Sequence, residues 1–363
     1  MTLVAGLLLA RLVLPQVHAQ AVPGIDSFHV GENIYVRALT VDPQRQSLWV
    51  GTSVGALEVD LASHAVKNSF TREHGLANEY VFAIGVAPDS SVWFGTNAGG
   101  ASRWRDGEWT TYFPMHGLAD YWVYAFDFDD DEKIWIATWS GANLVHDGRM
   151  DDTESWDLFT VENTGGGLPS DWVYGLAEAS DGSIWLATEG GLAHYEDGVW
   201  QNWDHADGLG ADYALVEKSI QFKSDPAARS GHHARQKQER QLEEVSVAYN
   251  PNYVVGLAID PDGVVWAGTW GAGLSRFDGD TWQTFTIRDG LPANHVFMLE
   301  IDPGGRLWIG TSEGLALCDG RKFIRYTEQH GLVSNTVFSM AFAPDGSAWV
   351  GSYGGVTGFP PGF

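Results

Sequence analysis

Aromatic residues at two recurring positions are the side chains in this sequence best suited to ligand chemistry. The first position lies immediately before a valine and carries a ring in six segments of the chain. The second follows a Gly-Thr, Ala-Thr or Gly-Ser pair and carries a ring in three segments. The aromatic residues at these positions are Tyr35, Tyr80, Trp122, Trp172, Tyr253 and His295 in the first set, and Trp139, Trp270 and Tyr353 in the second. Rings of this kind stack on the apolar faces of sugars and similar small molecules.

Polar residues stand beside these rings and extend the candidate site. Asp171 and Asn294 each precede a ring of the first set, and Glu189 occupies the second position in its own segment. Carboxylates and amides exchange hydrogen bonds with hydroxyl groups, so we predict these three as hydrogen-bond partners of a sugar. A structural alternative stays open, because Asn and Asp also bond readily to backbone groups in turns.

A tryptophan motif recurs along the chain and identifies the elements that must position these residues. The pattern Trp-x-Gly/Ala-Thr/Ser appears as LWVGT, VWFGT, IWIAT, IWLAT, VWAGT, LWIGT and AWVGS, with its tryptophan at positions 49, 93, 135, 185, 266, 308 and 349. A period of about 42 residues with four short strand patterns is typical of a β-propeller blade. We therefore predict an all-β fold, a seven-bladed propeller of four-stranded antiparallel blades over residues 20–363.

The two ends of the chain complement each other. After Trp349 only one strand pattern remains, at 355–359, so the last blade lacks its outermost strand. The segment 25–30 resembles the outer strands of other repeats. We predict that this N-terminal strand completes the last blade and closes the ring, which removes an open sheet edge.

These repeats resemble a known family. The unit DGLPANHVFMLEIDPGGRLWIGTSEGLALCDG, residues 289–320, is similar to the two-component regulator propeller repeat. The resemblance implies a ligand-binding, sensor-type propeller, often one that senses oligosaccharides. Because no kinase segment follows Phe363, a separate membrane histidine kinase or another protein is the signalling partner that the resemblance suggests.

The N-terminus and the overall charge bear on location and partners. An apolar run at 3–14 followed by Val17-His18-Ala19 predicts a signal peptide, residues 1–19, and a secreted or periplasmic protein without membrane insertion after cleavage. A formal net charge of −26 argues against a nucleic-acid partner. No cofactor is predicted. No metal site is predicted either, since neither His232-His233 nor the acidic stretch 127–132 has ligand spacing.

An insertion at about 210–250 separates the fourth and fifth repeats. It is rich in Lys, Arg, Glu and Gln, with six basic residues between Lys218 and Arg240. Two interpretations stay open. The insertion could be a basic flap over the face of the propeller that carries the two sets of rings, where it would favour an anionic ligand or an acidic partner, or it could be a solvated insertion without a role.

The pattern favours an exported binding or sensor module over an enzyme. Two enzymatic functions stay open for the face of the propeller that carries these rings. A glycoside hydrolase would use two carboxylates among Glu79, Asp171 and Glu189, and a polysaccharide lyase would use His295 with Tyr253 or Tyr353. The third interpretation is a scaffold for protein contacts.

Overall fold

The computed structural model describes residues 16–18, 23–129, 133–220, 238, 249–320 and 322–363. Its strands form seven sheets, each antiparallel within its blade. The first four blades comprise β3 Val36–Asp42, β4 Ser47–Thr52, β5 Gly55–Asp60 and β6 Val66–Phe70; β7 Val81–Val86, β8 Val92–Thr96, β9 Ala101–Arg105 and β10 Glu108–Tyr112; β11 Val123–Phe128, β12 Ile134–Thr138, β13 Gly141–Val145 and β14 Trp156–Phe159; and β15 Val173–Glu178, β16 Ile184–Thr188, β17 Gly191–Glu196 and β18 Val199–Trp203.

The remaining blades follow the same order. They comprise β19 Asn250–Ile259, β20 Val265–Trp270, β21 Leu274–Phe277 and β22 Trp282–Phe285; β23 Val296–Ile301, β24 Leu307–Thr311, β25 Gly314–Cys318 and β26 Phe323–Tyr326; and β27 Val337–Phe342, β28 Ala348–Ser352 and β29 Gly355–Phe359. Each innermost strand contacts the innermost strands of both neighbouring blades, and β27 contacts β3, so the seven sheets close into a ring. The seven-bladed propeller predicted from the repeats is confirmed.

The ring is closed by the N-terminal strand, as predicted. Strand β2, Asp26–His29, pairs antiparallel with β29, with Asp26 opposite Gly358 and His29 opposite Gly355, and completes blade seven. A shorter strand β1, Gln16–His18, pairs in parallel with β26 at the outer edge of blade six. Strand β1 falls inside the predicted signal peptide 1–19, whose other residues lie outside the described ones. Cleavage there stays a prediction.

Short helical turns lie in the connections between strands. Two of them, His146–Gly148 and Thr153–Ser155, join β13 to β14 within blade three. The others lie between blades and span Arg72–His74, Pro114–His116, His205–Asp207, Ile287–Asp289 and Glu328–His330, and a short α-helix, α1, spans Tyr213–Val216. None of the helices in the described ranges is long and apolar enough to cross a membrane.

The Asp-containing turns and the tryptophans of the second strands are joined by hydrogen bonds. The Trp308 indole N–H donates to Asp302 Oδ2 at 3.0 Å, and the Trp266 indole N–H donates to Asp260 Oδ2 at 3.1 Å. In blade two the Trp93 indole donates to the Ser91 hydroxyl at 2.9 Å. Each bond satisfies the one polar atom of a large ring, which lets the ring be buried without an unpaired donor.

The threonine that ends each second strand closes the loop to the third strand. Thr311 Oγ1 donates to the Gly314 carbonyl at 2.7 Å and accepts the Glu313 N–H at 3.2 Å. Gly314 has a φ of +138°, and a Cβ there would lie 2.6 Å from the Tyr326 carbonyl oxygen. Glycine is therefore required, which explains why the repeat carries it at this point.

The second-strand tryptophans lie between blades, as the sequence indicated. Trp49 of blade one contacts Phe94 and Trp104 of blade two at ring-centroid distances of 5.8 and 5.6 Å, and Trp135 of blade three contacts Tyr195 of blade four at 5.4 Å. All seven of these tryptophans are at most 8% exposed. They form the packing between sheets that holds the ring together.

Both described ends of the insertion are packed on the propeller. Ala211, Val216 and Ile220 form a buried cluster, and the Tyr249 hydroxyl donates to the Ala211 carbonyl at 2.7 Å. Residues 221–237 and 239–248, which hold most of the basic side chains, lie outside the described residues. The flap therefore stays a prediction.

Candidate functional site

The rings predicted from the two recurring positions meet around the propeller axis. Ring contacts with centroid distances of 4.3 to 6.3 Å pass through all seven blades and return to their start. We call this circle the aromatic girdle; its members are Tyr35, Tyr80, Phe82, Trp122, Tyr124, Trp139, Trp172, Tyr174, Tyr253, Trp270, His295, Phe297, Phe338 and Tyr353. All nine ring-bearing residues of the predicted site belong to it.

Backbone hydrogen bonds hold the two positions side by side within a blade. The Trp139 N–H donates to the Trp122 carbonyl at 3.2 Å, and the Glu189 N–H donates to the Trp172 carbonyl at 3.1 Å; blades one, two and six repeat the bond. Between blades, isolated bridges join Tyr35 to Tyr353 and Trp270 to His295. Residues distant in the chain are thus brought to the same end of the innermost strands.

Five girdle residues were not identified from the sequence. They follow the first-strand valine directly: Phe82, Tyr124, Tyr174, Phe297 and Phe338. In every blade the pairing of the first and second strands shifts at this residue, which is a β-bulge. A bulge re-aims one side chain, so these residues leave the alternation that would place them between blades. The available signal was the aromatic run on both sides of the valine, as in YVF and WVY.

Three tryptophans make blades three and four the most aromatic part of the girdle. Trp139 lies 5.2 Å from Trp122 and 4.3 Å from Trp172, measured between ring centroids. A half-open cavity of about 380 Å³ is lined by Trp122, Trp139, Asp120, Tyr121 and Ala98. Concave sites with aromatic walls and a few polar groups are where small ligands bind.

Asp120 fixes the wall of this cavity. Its Oδ1 accepts the Trp122 N–H at 2.9 Å and its Oδ2 accepts the Ser140 hydroxyl at 2.6 Å. Tyr121 beside it is 48% exposed and contacts Phe113 at 5.9 Å. An exposed ring next to a rigid aromatic wall gives the cavity a surface on which a flat apolar face can stack.

The polar residues that precede the first-set rings bond to the chain itself. Asn294 Oδ1 accepts the Ile287 N–H at 3.0 Å and Asp171 Oδ1 accepts the Val161 N–H at 2.7 Å. Glu79, Asn252 and Asn335 accept the corresponding N–H of their own turns. Asn294 is also fully buried and donates to the Ser219 hydroxyl at 2.8 Å. The turn-bonding alternative thus accounts for this set.

Blade three shows why the set has this chemistry. Its connecting turn begins at Pro114, which has no N–H to donate. The position that holds Asn or a carboxylate in the other connections is occupied there by Tyr121, a residue without a carboxylate or amide acceptor. The exposed ring at the cavity therefore stands where the fold needs no hydrogen bond.

Glu189 and His295 lie in the girdle. The Tyr174 hydroxyl donates to Glu189 Oε2 at 3.3 Å. His295 is 3% exposed, and its ring lies edge-on to Trp270 at a centroid distance of 5.6 Å. The Glu189 N–H donates to the Trp172 carbonyl at 3.1 Å, so Glu189 lies beside the tryptophan-rich part of the girdle.

Two carboxylates in the innermost strands titrate unusually. Asp127 and Glu300 occupy equivalent positions, opposite Trp135 and Trp308. Burial raises the pKa of Glu300 to about 7, and burial together with the charges of Glu178 and Asp129 raises the pKa of Asp127 to about 6. Among the described residues, no three His, Cys, Asp or Glu side chains form a group that could hold a metal ion.

The comparison with protein families identifies the repeat. The model described as "two component regulator propeller" matches residues 167–190, 248–271 and 290–313. These three segments carry the two-component regulator propeller repeat that the sequence resembles. Each matched segment covers the entry turn, the bulged first strand and the Trp strand of its blade, which together carry the girdle residues. A comparison with curated proteins finds no match.

Solved structures share the propeller fold of this chain. The extracellular domain of a protein described as a hybrid two-component system, BT3049 of B. thetaiotaomicron, superimposes with a TM-score of 0.70 at 19% identity over 95% of this chain. A second extracellular domain of that organism, BT4673, gives 0.65 at 17% identity over 92%. This chain spans 42% and 39% of those two structures.

A propeller lyase has the same architecture. A catalytically inactive form of virginiamycin B lyase from Staphylococcus aureus, solved with quinupristin, gives a TM-score of 0.62 at 12% identity, covering 92% of this chain and 98% of the lyase. At this identity the likeness extends to the fold.

Proposed function

We propose that this two-component-regulator-type propeller is an exported sensor module that binds an oligosaccharide, or a similar small ligand with flat apolar faces, on the aromatic girdle. A separate membrane histidine kinase is the proposed partner. The apolar N-terminal run and the extracellular location of the structural neighbours support export and sensing.

The observation that carries the proposal is the closed circle of rings with a half-open cavity against Trp122 and Trp139. The blades are already held together by the second-strand tryptophans, which are buried elsewhere. Rings gathered round the axis add an apolar, rigid surface, which binds a ligand at low cost in side-chain entropy. Glu189, half-buried beside Trp172, adds a hydrogen-bond acceptor for a hydroxyl.

A double substitution tests the proposal. Trp139→Ala with Trp172→Ala removes a stacked pair whose centroids are 4.3 Å apart. We expect binding on an oligosaccharide array, and the ligand-induced change in tryptophan fluorescence, to fall at least about tenfold, since each aromatic contact contributes about 0.5–1.5 kcal/mol beyond its area.

The matched control is Trp109→Ala with Trp200→Ala, two half-buried rings on the outer strands β10 and β18. This variant should keep wild-type affinity provided that its circular dichroism spectrum is unchanged. If the Trp139/Trp172 variant binds as tightly as the wild type, the girdle is not the binding site.

A further inference from the structure

One girdle position carries a positive charge in place of a ring. The seven bulge residues are Arg37, Phe82, Tyr124, Tyr174, Val255, Phe297 and Phe338. Arg37 is the only ionisable residue among them with a permanent charge. It belongs to blade one, beside the junction with blade seven, and two blades away from Trp139 in the ring.

The guanidinium of Arg37 is held in place by a ring and has no polar partner among the described residues. Its Cζ lies 5.4 Å from the centroid of Phe338. Its Nε is buried without a hydrogen-bond partner, and none of the ion pairs between described residues involves it. The other stacked arginines, such as Arg276 and Arg306, pair with a carboxylate at 3.1 and 2.6 Å.

A second donor stands next to Arg37. The Tyr35 hydroxyl is buried and makes no hydrogen bond of good geometry in the described part of the chain, but it is close enough to the Tyr353 phenol to interact with it. The Tyr35 ring lies 4.3 Å from the Tyr353 ring and 5.4 Å from the Phe338 ring. Burial, with the neighbouring phenols of Tyr35 and Tyr80, raises the pKa of Tyr353. The Tyr353 hydroxyl is therefore protonated at neutral pH and can donate.

Buried donors without partners cost free energy, about 1–3 kcal/mol for each group, so natural proteins satisfy nearly all of them. An arginine over an aromatic face presents its N–H fork in a fixed plane, which matches the oxygens of a carboxylate or of a sulfate ester. The chain has a formal net charge of −26 and so has carboxylates in excess, yet none of the described ones pairs with this cation.

We infer that Arg37 and Tyr35 form an oxyanion subsite of the girdle, so that the ligand is an acidic oligosaccharide carrying a carboxylate or a sulfate ester. This inference rests on the proposed function for the sugar part of the ligand. The tryptophans of blades three and four bind the ring faces, and blade one, two and three blades away in the ring, binds the charge.

Isothermal titration with matched probes tests the subsite. The probes are tetragalacturonic acid, its methyl ester and a tetrasaccharide of sulfated galactose, which separate a carboxylate from a sulfate as the source of the oxyanion. The wild type should bind one acidic probe more tightly than the methyl ester. Arg37→Met should weaken that acidic probe about 10- to 100-fold and the ester less than about twofold, as expected for loss of hydrogen bonds to a charged group.

Three further variants complete the design. Arg37→Lys keeps the charge without the fork and should give an intermediate loss, while Tyr35→Phe should weaken the acidic probe alone. Arg276→Met, which removes a stacked arginine on β21, is the control and should bind like the wild type. The melting temperature of Arg37→Met should equal or exceed that of the wild type, because the variant loses an unpaired buried donor. If Arg37→Met fails to fold, the binding of the acidic probe by Tyr35→Phe and Arg37→Lys tests the subsite instead.

The outcomes separate the two proposals. Tighter binding of the methyl ester than of both acidic probes, or equal losses for acid and ester in Arg37→Met, overturns the subsite and leaves the girdle as a neutral-sugar site. If no tetrasaccharide binds while sodium acetate or sulfate raises the melting temperature of the wild type but not of Arg37→Met, the oxyanion subsite stands and the oligosaccharide proposal falls. Absence of any Arg37-dependent response overturns the subsite.

Discussion

Two sets of aromatic residues in this propeller differ in what surrounds them. The second-strand tryptophans are at most 8% exposed and each lies between two sheets, with an indole N–H that in three blades bonds to the adjacent turn. In the girdle, Trp139, Trp172 and Trp270 are half-buried and contact rings of neighbouring blades around the axis. The same residue type therefore serves packing in one place and forms a surface in the other.

This contrast matters because the repeat alone accounts for the first set. A blade needs a large flat side chain to fill the gap to its neighbour, and every blade supplies a tryptophan there. The girdle positions vary from Trp to Tyr, Phe, His, Thr and Arg. Variation at a geometrically equivalent position indicates that the fold tolerates many side chains there.

The largest expected effect separates the two sets by stability. Trp308→Ala removes a fully buried ring between blades six and seven and should lower the free energy of unfolding by about 3–5 kcal/mol. Trp172→Ala should cost about 1 kcal/mol, because the half-buried ring leaves no closed cavity. Urea denaturation followed by circular dichroism measures both. Similar losses for the two variants would break the distinction between packing and girdle residues.

A smaller effect concerns the polar residues beside the girdle. Asn294→Ala leaves the Ile287 N–H and the Ser219 hydroxyl without their partner and should cost about 1–3 kcal/mol. Tyr121 occupies the position of blade three that corresponds to Asn294, and its turn begins at Pro114, which has no N–H to bond. Tyr121→Ala should therefore change the free energy of unfolding by less than about 0.5 kcal/mol. Differential scanning calorimetry compares the two. A loss of oligosaccharide binding in Asn294→Ala at unchanged stability would assign Asn294 to the ligand, as the sequence prediction had it.

The smallest effect appears only as a difference between two pH values. Because burial raises the pKa of Glu300 to about 7, its contribution to stability is fully present below its ordinary value near 4.5 and is lost as pH rises through 7. The melting temperature of the wild type should therefore fall more between pH 5 and pH 8 than that of Glu300→Gln. Glu108→Gln, exposed on β10, is the control and should follow the wild type. Parallel curves for Glu300→Gln and the wild type would contradict a buried, protonated Glu300.

Much of the fold could be predicted because each blade repeats one local solution. The Asp-Gly turns, the Trp strand and the Gly-Thr loop fix strand order within a blade, and the missing outer strand after 355–359 indicated that segment 25–30 would pair there. The first and second sets of rings could also be located, because the turns place both at one end of the innermost strands.

Other features were beyond pattern reasoning. Alternation along a strand would turn Phe82, Tyr124 and Arg37 toward a neighbouring blade, and only the bulge after the valine turns them toward the axis. Whether Asp171 and Asn294 were available to a ligand also depended on the N–H groups of turns far from them in the chain. Hydrogen bonds of this kind join two separate segments of the chain, so the sequence of either segment alone does not predict them.

The sequence by itself determined the repeat and the number of blades, since these follow from residues interacting within about 42 positions of one another. It also indicated the strand that closes the ring, because the last repeat lacks an outer strand and segment 25–30 resembles one. Only the tertiary structure decided that five further rings join the girdle and that the polar residues beside it serve the turns. It also decided that Arg37 stacks on Phe338 and has no carboxylate partner among the described residues. The physical reason is closure of the ring, which places the first and last blades in contact and makes partners of residues some three hundred positions apart.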